Sequence, residues 1–169
     1  MTFDPFAIVR VLAAHEVRYV LIGGLAAVSQ GSPVITNDLD VCYDRRVDNL
    51  DRLAAALRQM HARLRGVEDD VPFLLDAQTL RAGDSFTFIT DHGPFDVLGT
   101  PSGTTGYDAL AGRATRVELD GQPVLVADVD DLIAMKLAAG RDKDVLGLAH
   151  LRALREELQD RATKDRPIS

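Results

Sequence analysis

The sequence has little of what marks secreted or membrane-spanning proteins. Its 169 residues include one cysteine, Cys42, so no disulfide can form within the chain, which favours a reducing compartment. No apolar run approaches the ~20 residues that cross a bilayer. The first ten residues lack the basic segment and apolar core of a secretory signal. We therefore expect a cytoplasmic protein that makes no contact with a membrane.

Positive charge is also scarce. Lys and Arg number 19 against 26 Asp and Glu, which gives a formal net charge of -7. A broad nucleic-acid-binding surface needs clustered Lys and Arg, so this balance argues against one, although it allows a local basic groove. Hydrophobic residues make up 46% of the chain, enough for a sizeable core. We expect one domain over residues 1–160 and a charged, disordered tail over residues 161–169.

The most informative stretch begins with a short strand and a glycine pair. Residues 19–22 are rich in β-forming side chains and predict a buried strand. Gly23 and Gly24 follow, and residues 25–30 have the composition of a helix. Glycines allow a sharp turn and a close approach of the backbone to a ligand. At a helix N-terminus, free N–H groups and the helix dipole attract phosphate, so we predict a phosphate-binding turn.

Two aspartates come next, on a second predicted strand. Residues 37–42 alternate polar and apolar side chains and predict a strand over residues 38–43, which places Asp38 and Asp40 on one face and Leu39 and Val41 in the core. Neighbouring carboxylates repel each other unless a cation lies between them. Mg²⁺ prefers a few carboxylates together with substrate phosphates. The glycine turn and the aspartate pair therefore predict a site for a nucleoside triphosphate and its metal ion.

A third carboxylate lies inside a later apolar strand. Asp96 interrupts the predicted strand over residues 95–98, where aspartate is uncommon and costly to bury without a partner. It is either an edge residue that faces solvent or a functional group. Asp84 and Asp91 are weaker candidates because both lie at predicted turns.

The remaining patterns predict further helices and strands. Asp4 and Pro5 indicate a helix start, and Asp128 a helix cap. We predict helices over residues 48–64, 129–139 and 142–158, and further strands over residues 85–89, 114–119 and 124–127. The helix over residues 48–64 would end at Gly66. It carries four arginines that form its solvated face or, for some of them, line a nucleic-acid path: Arg52, Arg58, Arg63 and Arg65.

The spacing of these motifs resembles a known family. Gly23-Gly24, a short spacer and Asp38-Leu39-Asp40 match the pattern hG[GS] and Dh[DE]h of the DNA polymerase β-like nucleotidyltransferase superfamily. Within it, the stretch is most similar to small toxin nucleotidyltransferases of the AbiEii/MenT type. It is more distantly similar to lincosamide and aminoglycoside nucleotidyltransferases. The resemblance implies an α/β fold with a mixed central β-sheet flanked by helices and a short helical C-terminal part.

The resemblance also implies the roles of the acidic residues. Asp38 and Asp40 would hold Mg²⁺ or Mn²⁺ under the triphosphate of an NTP. Asp96 matches the family's third metal ligand and would complete a second metal position and help activate the acceptor. Two metal ions can stabilise both the attacking and the leaving oxygen.

A second segment, DLIAMKLAAGRDKD, resembles the same family. Its relatives often carry a lysine followed by R-x-K-D, which Lys136, Arg141, Lys143 and Asp144 match. Projected as a helix, residues 129–139 place Lys136 in the middle of an apolar face, where a lysine either extends its amine to water or serves a function. We interpret Lys136 as a catalytic phosphate-binding residue. The nucleotide-binding set is then Gly23, Gly24, Thr36, Lys136, Arg141 and Lys143.

Three positions depart from the family pattern. Val34 stands where many relatives have arginine, Gly24 where many have serine, and Gly147 where an acidic residue is frequent. The expected function is transfer of a nucleotide to RNA, such as a tRNA end, or to a protein hydroxyl, by a toxin that has a cognate antitoxin. The alternatives are transfer to a small molecule such as an antibiotic, and a non-catalytic nucleotide-binding or interaction module.

Overall fold

The β-forming segments of the chain pair into one mixed sheet. The computed structural model describes residues 2–167, and the side chain of Lys143 lies outside the described part. The strands of the described part are β1 (Tyr19–Ile22), β2 (Leu39–Tyr43), β3 (Arg63–Leu64), β4 (Ser85–Thr90), β5 (Gly93–Leu98), β6 (Thr115–Leu119) and β7 (Gln122–Val126).

The strand order in this sheet is β3-β4-β5-β2-β1-β7-β6. Strands β2 and β5 run parallel, as do β1 and β7, whereas the other neighbours are antiparallel. Helices pack against the sheet, and the predicted α/β fold with a mixed central sheet is confirmed. The parallel pairing of β2 with β5 matters most for function, because it joins segments more than fifty residues apart in the chain.

Two helices begin at the aspartates that the sequence predicts as caps. Asp4 accepts a hydrogen bond from the Ala7 amide at 3.0 Å, and Asp128 accepts one from the Asp130 amide at 3.1 Å. The helices of the described part are α1 (Pro5–Ala14), α2 (Gly23–Ser29), α3 (Val47–Gln59), α4 (Ala77–Ala82), α5 (Tyr107–Arg113), α6 (Val129–Ala139) and α7 (Val145–Lys164). A short 3₁₀ turn, Asp142–Asp144, joins α6 to α7.

The sheet is covered unevenly. Strands β1 and β2 are almost fully buried, as their apolar composition predicts. In β4 and β5 only one face is buried, and it carries Phe88, Phe95 and Val97. The opposite face carries Thr87 and Asp96 and stays partly exposed. This partly exposed face of β4 and β5, which carries Thr87 and Asp96, borders β2, and we refer to it as the open floor of the sheet.

The long helix predicted over residues 48–64 is wrong at its end. Helix α3 stops at Gln59, and His61 takes a positive φ of 51°, which reverses the chain. The Ala62 amide then donates to the Leu57 carbonyl at 3.0 Å, as in a left-handed helix end. The following Arg63–Leu64 pairs with β4, so neither Arg63 nor Arg65 lies on a helix face, and Gly66 is not a helix cap.

Two short helices, α4 and α5, lie where the sequence shows no clear periodicity. Each has only six or seven residues, too few to establish a helical repeat. Helix α7 continues to Lys164, beyond the predicted end at residue 158. Among residues 2–167, no helix combines the length and the apolar character that crossing a membrane requires.

Candidate active site

Three aspartates meet at the junction of β2 and β5. Asp40 lies opposite Asp96 in the parallel register, and Asp38 immediately precedes β2. One carboxylate oxygen from each residue lies within 4.8 Å of the others. All three side chains are partly exposed on one face of the sheet. We refer to Asp38, Asp40 and Asp96 as the acidic triad.

The environment of the triad disfavours three negative charges. Burial, followed by the charges of Asp38 and Asp96, raises the pKa of Asp40 to about 7. Burial also raises the pKa of Asp96, although the neighbouring Arg65 opposes that shift. A hard divalent cation offsets such repulsion, and carboxylate oxygens are the ligands it prefers. The donor set therefore suits Mg²⁺ or Mn²⁺.

The glycine turn lies directly beside Asp40. Gly23 has a φ of 70°, and helix α2 begins at this residue, two positions before the predicted start. A Cβ atom added at Gly23 would collide with the Asp40 carboxylate. The side chain of Asp40 thus packs on bare backbone, which requires glycine at this point of the chain.

Gly24 and Thr36 are a second tight pair. A Cβ atom at Gly24 would lie 3.0 Å from both Cβ and Oγ1 of Thr36. The Thr36 hydroxyl lies 3.0 Å from the Asp38 carbonyl oxygen and 3.2 Å from Asp38 Oδ1. The loop before β2 is therefore fixed against the start of α2, with the Thr36 hydroxyl facing the triad.

Helix α6 and the 3₁₀ turn form the opposite wall. Lys136 Nζ donates to Asp144 Oδ1 at 2.9 Å, and Arg141 Nε donates to Asp144 Oδ2 at 2.8 Å. Asp144 is buried, and although burial acts to raise its pKa, the hydrogen bonds from these two cations lower it below its usual value. The Lys136 side chain is 30% exposed and contacts the buried Asp144 carboxylate. Its ammonium group therefore lies at the edge of the cleft.

One departure from the family pattern, Gly147, lies beside this wall. A Cβ atom at Gly147 would lie 3.6 Å from Lys136 Cε, an ordinary van der Waals distance, so the glycine is in contact range of the lysine stem. Leu132 and Ile133 are buried as predicted, whereas Leu137 is 54% exposed. The apolar face of α6 is thus narrower than its sequence indicates.

Arg65 is a site residue that the sequence reasoning missed. Its Nη2 lies 3.1 Å from both carboxylate oxygens of Asp96. The sequence pattern predicts this arginine on the solvated face of a helix, which is wrong. Arg63-Leu64-Arg65 alternates charged and apolar residues, which is typical of a strand and not of a helix. This alternation was the signal that could have placed Arg65 beside the sheet.

These elements enclose a cleft of about 780 Å³. This volume is within the usual range of small-molecule sites. Its lining includes Arg65, Asp144 and eight of the nine predicted site residues: Gly23, Gly24, Thr36, Asp38, Asp40, Asp96, Lys136 and Arg141. The side chain of the ninth, Lys143, lies outside the described part of the chain. The structure brings the eight residues together, while their roles stay predictions.

The fold is that of nucleotidyltransferases. No family model and no curated protein matches the sequence. Among solved structures, the lincosamide antibiotic adenylyltransferase LnuA with bound lincomycin has 11% identity and a TM-score of 0.61, covering 91% of this chain and 99% of its own. A Thermotoga maritima protein, described as a candidate nucleotidyltransferase, has 18% identity and a TM-score of 0.54, with 94% and 96% covered.

A third similar structure is ANT(2")-Ia in complex with adenylyl-2"-tobramycin. It has 13% identity and a TM-score of 0.54, and the match covers 94% of this chain and 98% of that one. At identities this low, the structural match supports the fold alone. This is the fold that the family resemblance implied. A particular closeness to AbiEii/MenT-type toxins stays a prediction.

Proposed function

We propose that this protein is a metal-dependent nucleotidyltransferase that moves a nucleoside monophosphate from an NTP to an acceptor hydroxyl. The observation that carries the proposal is the acidic triad on adjacent strands of a nucleotidyltransferase fold, beside the glycine turn. The three neighbouring carboxylates repel one another, and a divalent cation bound together with a triphosphate would offset this repulsion.

The proposed reaction is an in-line displacement at the α-phosphorus. The acceptor oxygen forms a bond to this phosphorus, the bond to the oxygen that bridges the α- and β-phosphates breaks, and pyrophosphate leaves. The hydroxyl proton passes to Asp96, the carboxylate nearest the open floor of β4 and β5. Asp38, Asp40 and Asp96 would hold Mg²⁺ or Mn²⁺. The bound metal would stabilise the negative charge on the attacking and leaving oxygens.

The remaining site residues would position the triphosphate. The Gly23-Gly24 turn would offer backbone N–H groups, and Thr36 a hydroxyl, to phosphate oxygens. Lys136 would place its ammonium against the phosphates as a point charge. Arg141 and Lys143 would add charge at the same wall. Asp144 holds Lys136 and Arg141 in place by the hydrogen bonds described above.

Two acceptor classes remain in the proposal. The resemblance to toxin nucleotidyltransferases supports RNA, such as a tRNA end, or a protein hydroxyl, in the cytoplasm and under control of a cognate antitoxin. A small-molecule acceptor is favoured by the charge of the cleft. Its described cations, Arg65, Lys136 and Arg141, are each paired with a carboxylate, whereas a polynucleotide acceptor needs cations along its phosphate path. LnuA and ANT(2")-Ia, which have this fold, are seen with lincomycin and adenylyl-tobramycin.

Label transfer tests the reaction and separates the acceptors. Purified protein is incubated with each NTP labelled at the α-phosphate, with Mg²⁺ or Mn²⁺. Parallel samples contain total cell RNA, a protein extract, or a panel of lincosamides and aminoglycosides. We expect metal-dependent label on one acceptor class. The control is Asp38→Asn with Asp40→Asn, which keeps the side-chain volumes and removes two carboxylates.

The control also tests the metal site itself. Without metal the double variant should melt at a higher temperature than the wild type, because two repelling charges are gone. It should not respond to Mg²⁺ with NTP, which should stabilise the wild type. Transfer by the double variant would disprove the proposed roles of these carboxylates. Absence of both transfer and metal-dependent NTP binding in the wild type would favour the non-catalytic alternative.

A further inference from the structure

Arg65 reaches the acidic triad from the edge of the sheet. It directly follows β3, and its amide donates to the Thr87 carbonyl at 2.9 Å, which fixes its backbone to β4. Thr87 lies opposite Asp96 in the β4–β5 register. The arginine side chain therefore crosses β4 above Thr87 and meets Asp96 on the open face of the sheet.

The contact occupies both oxygens of the carboxylate. Arg65 Nη2 lies 3.1 Å from Oδ1 and 3.1 Å from Oδ2 of Asp96. The Asp96 side chain is 15% exposed and that of Arg65 is 39% exposed, so water screens the pair only in part. Among the described side chains, Arg65 is the one cation that hydrogen-bonds a triad carboxylate.

A metal ion at the triad needs the same carboxylate oxygens. An ion that bridges Asp96 to Asp38 or Asp40 must take an oxygen that now accepts from Arg65, and the guanidinium charge repels that ion. In the described part of the chain neither Asp38 nor Asp40 accepts a hydrogen bond from a cation, although the Thr36 hydroxyl lies 3.2 Å from Asp38 Oδ1. We propose that Arg65 is a positioning residue that acts through Asp96: it holds the third carboxylate in the metal-free site and competes with the metal ion for it. The inference rests on the proposed metal site.

Removing the guanidinium should then strengthen metal binding. Arg65→Met keeps a long stem of similar shape and removes the charge and its hydrogen bonds. Calorimetric titration with Mn²⁺ at fixed pH, without nucleotide, measures the effect apart from catalysis. We expect the dissociation constant of Arg65→Met to fall about five- to tenfold, the effect of losing a partly exposed charge-assisted hydrogen bond. Arg65→Lys keeps the charge but loses the guanidinium contact to both oxygens, so its dissociation constant should lie between those of the wild type and Arg65→Met.

Two controls separate competition at Asp96 from other causes. Arg63 lies two residues earlier, on β3 and outside the cleft, and pairs with Asp69 at 3.3 Å. Arg63→Met changes the net charge equally and should leave Mn²⁺ affinity unchanged. In an Asp96→Asn background, Arg65→Met should improve affinity at most about twofold, because the carboxylate it competes for is gone.

Three results would overturn the inference. The first is an Arg65→Met variant, folded by its circular dichroism, that binds Mn²⁺ no more tightly than the wild type. The second is a gain that persists in full in the Asp96→Asn background, which would show a general field effect. The third is no Mn²⁺ binding by either the wild type or Arg65→Met, which would also remove the proposed metal site. Equal Mn²⁺ binding by these two proteins would overturn the role of Arg65 and leave the metal site intact.

Discussion

At the scale of single residues, an ion pair between the partly exposed Arg18 and the buried Asp44 fixes the chain at the end of β2. Asp44, just after β2, is 2% exposed and accepts from Arg18 Nε at 2.7 Å and from the Arg46 amide at 3.0 Å. Burial acts to raise its pKa, but these hydrogen bonds outweigh burial and lower it. Asn49 ties the same corner by donating to the Asp44 carbonyl at 2.8 Å. The end of β2, and with it the register of Asp40, depends on this corner.

Asp44→Asn should therefore destabilise the protein in a pH-dependent way. The lowered pKa means that the ionised carboxylate stabilises the fold fully above the unfolded-state value of ~4 and that this stabilisation is lost as the pH falls through the lowered pKa. We expect a loss of about 2 kcal/mol in the free energy of unfolding at pH 7, shrinking toward pH 3. Urea denaturation at both values measures it.

The matched control for this prediction is Asp48→Asn. Asp48 also pairs with Arg18, at 3.0 Å, but its side chain is 55% exposed. Solvent screening makes such a pair weak, so the loss should be clearly smaller than for Asp44→Asn. Equal losses in the two variants, or a loss at Asp44 that does not change with pH, would contradict the assignment.

Lys136 is the residue whose two interpretations can be separated by one substitution. Lys136→Met keeps the stem beside Gly147 and removes the charge, while Asp144 retains its bond to Arg141. We expect a folded protein whose NTP affinity in the presence of Mg²⁺ falls at least about tenfold, because a phosphate-binding charge is gone. Calorimetric titration with NTP checks this. Lys164→Met, on the exposed end of α7, is the control, and wild-type NTP affinity in Lys136→Met would show that the lysine is structural.

At the scale of elements, the junction of β1 and α2 sets how close the backbone lies to the triad. Gly23 combines a φ of 70° with direct packing against Asp40. A side chain at this point is strained by the backbone and also displaces the carboxylate. The glycine therefore serves the geometry of the site as well as the turn.

Gly23→Ala should lower the free energy of unfolding by about 1–3 kcal/mol and also weaken Mn²⁺ binding. The control is Gly112→Ala, inside α5, where an added Cβ meets nothing within 4 Å. Since alanine favours a helix interior, that change should be neutral or stabilising by up to about 1 kcal/mol. Thermal unfolding and Mn²⁺ titration are both measured, and a Gly23→Ala variant with unchanged metal affinity would show that Asp40 can move without consequence.

At the scale of the whole molecule, the cleft joins segments that are far apart in the sequence. Its lining comes from the β1–α2 junction, the loop before β2, β5, and the α6–α7 wall. A ligand that contacts all four stabilises them together, since binding favours the conformation in which they meet. The outer hairpin of β6 and β7 lies away from the triad, beyond β1 in the sheet.

Hydrogen exchange should show this coupling. With Mg²⁺ and an NTP, amide exchange should slow in residues 22–26, 36–40 and 132–147 together, while residues 115–122 keep their ligand-free rates. Mass-spectrometric hydrogen exchange with and without ligand measures both groups of peptides. Protection confined to one segment, or equal protection of residues 115–122, would contradict a single site built by the four segments.

Much of this architecture could be predicted from sequence because it is locally encoded. The strand before Gly23, the hairpin of β6 and β7, and the caps at Asp4 and Asp128 depend on neighbours a few residues away. Alternation, turn residues and cap chemistry report such neighbours directly. The likeness of the Gly-Gly and Asp-x-Asp spacing to a family extended this local signal to the nucleotidyltransferase fold.

Contacts between distant segments were decided by the tertiary structure. Sequence made Asp96 a candidate, but only the parallel register of β2 and β5 places it opposite Asp40. The reversal at His61 moved Arg65 from an expected helix face to the triad, because a helical pattern does not reveal where a left-handed residue will end it. Asp144 became the partner of Lys136 through the packing of α6 on α7. The sequence by itself determined which chemical groups are present and the local elements that carry them, whereas their distances and charge partners follow from long-range pairing, which no local pattern records.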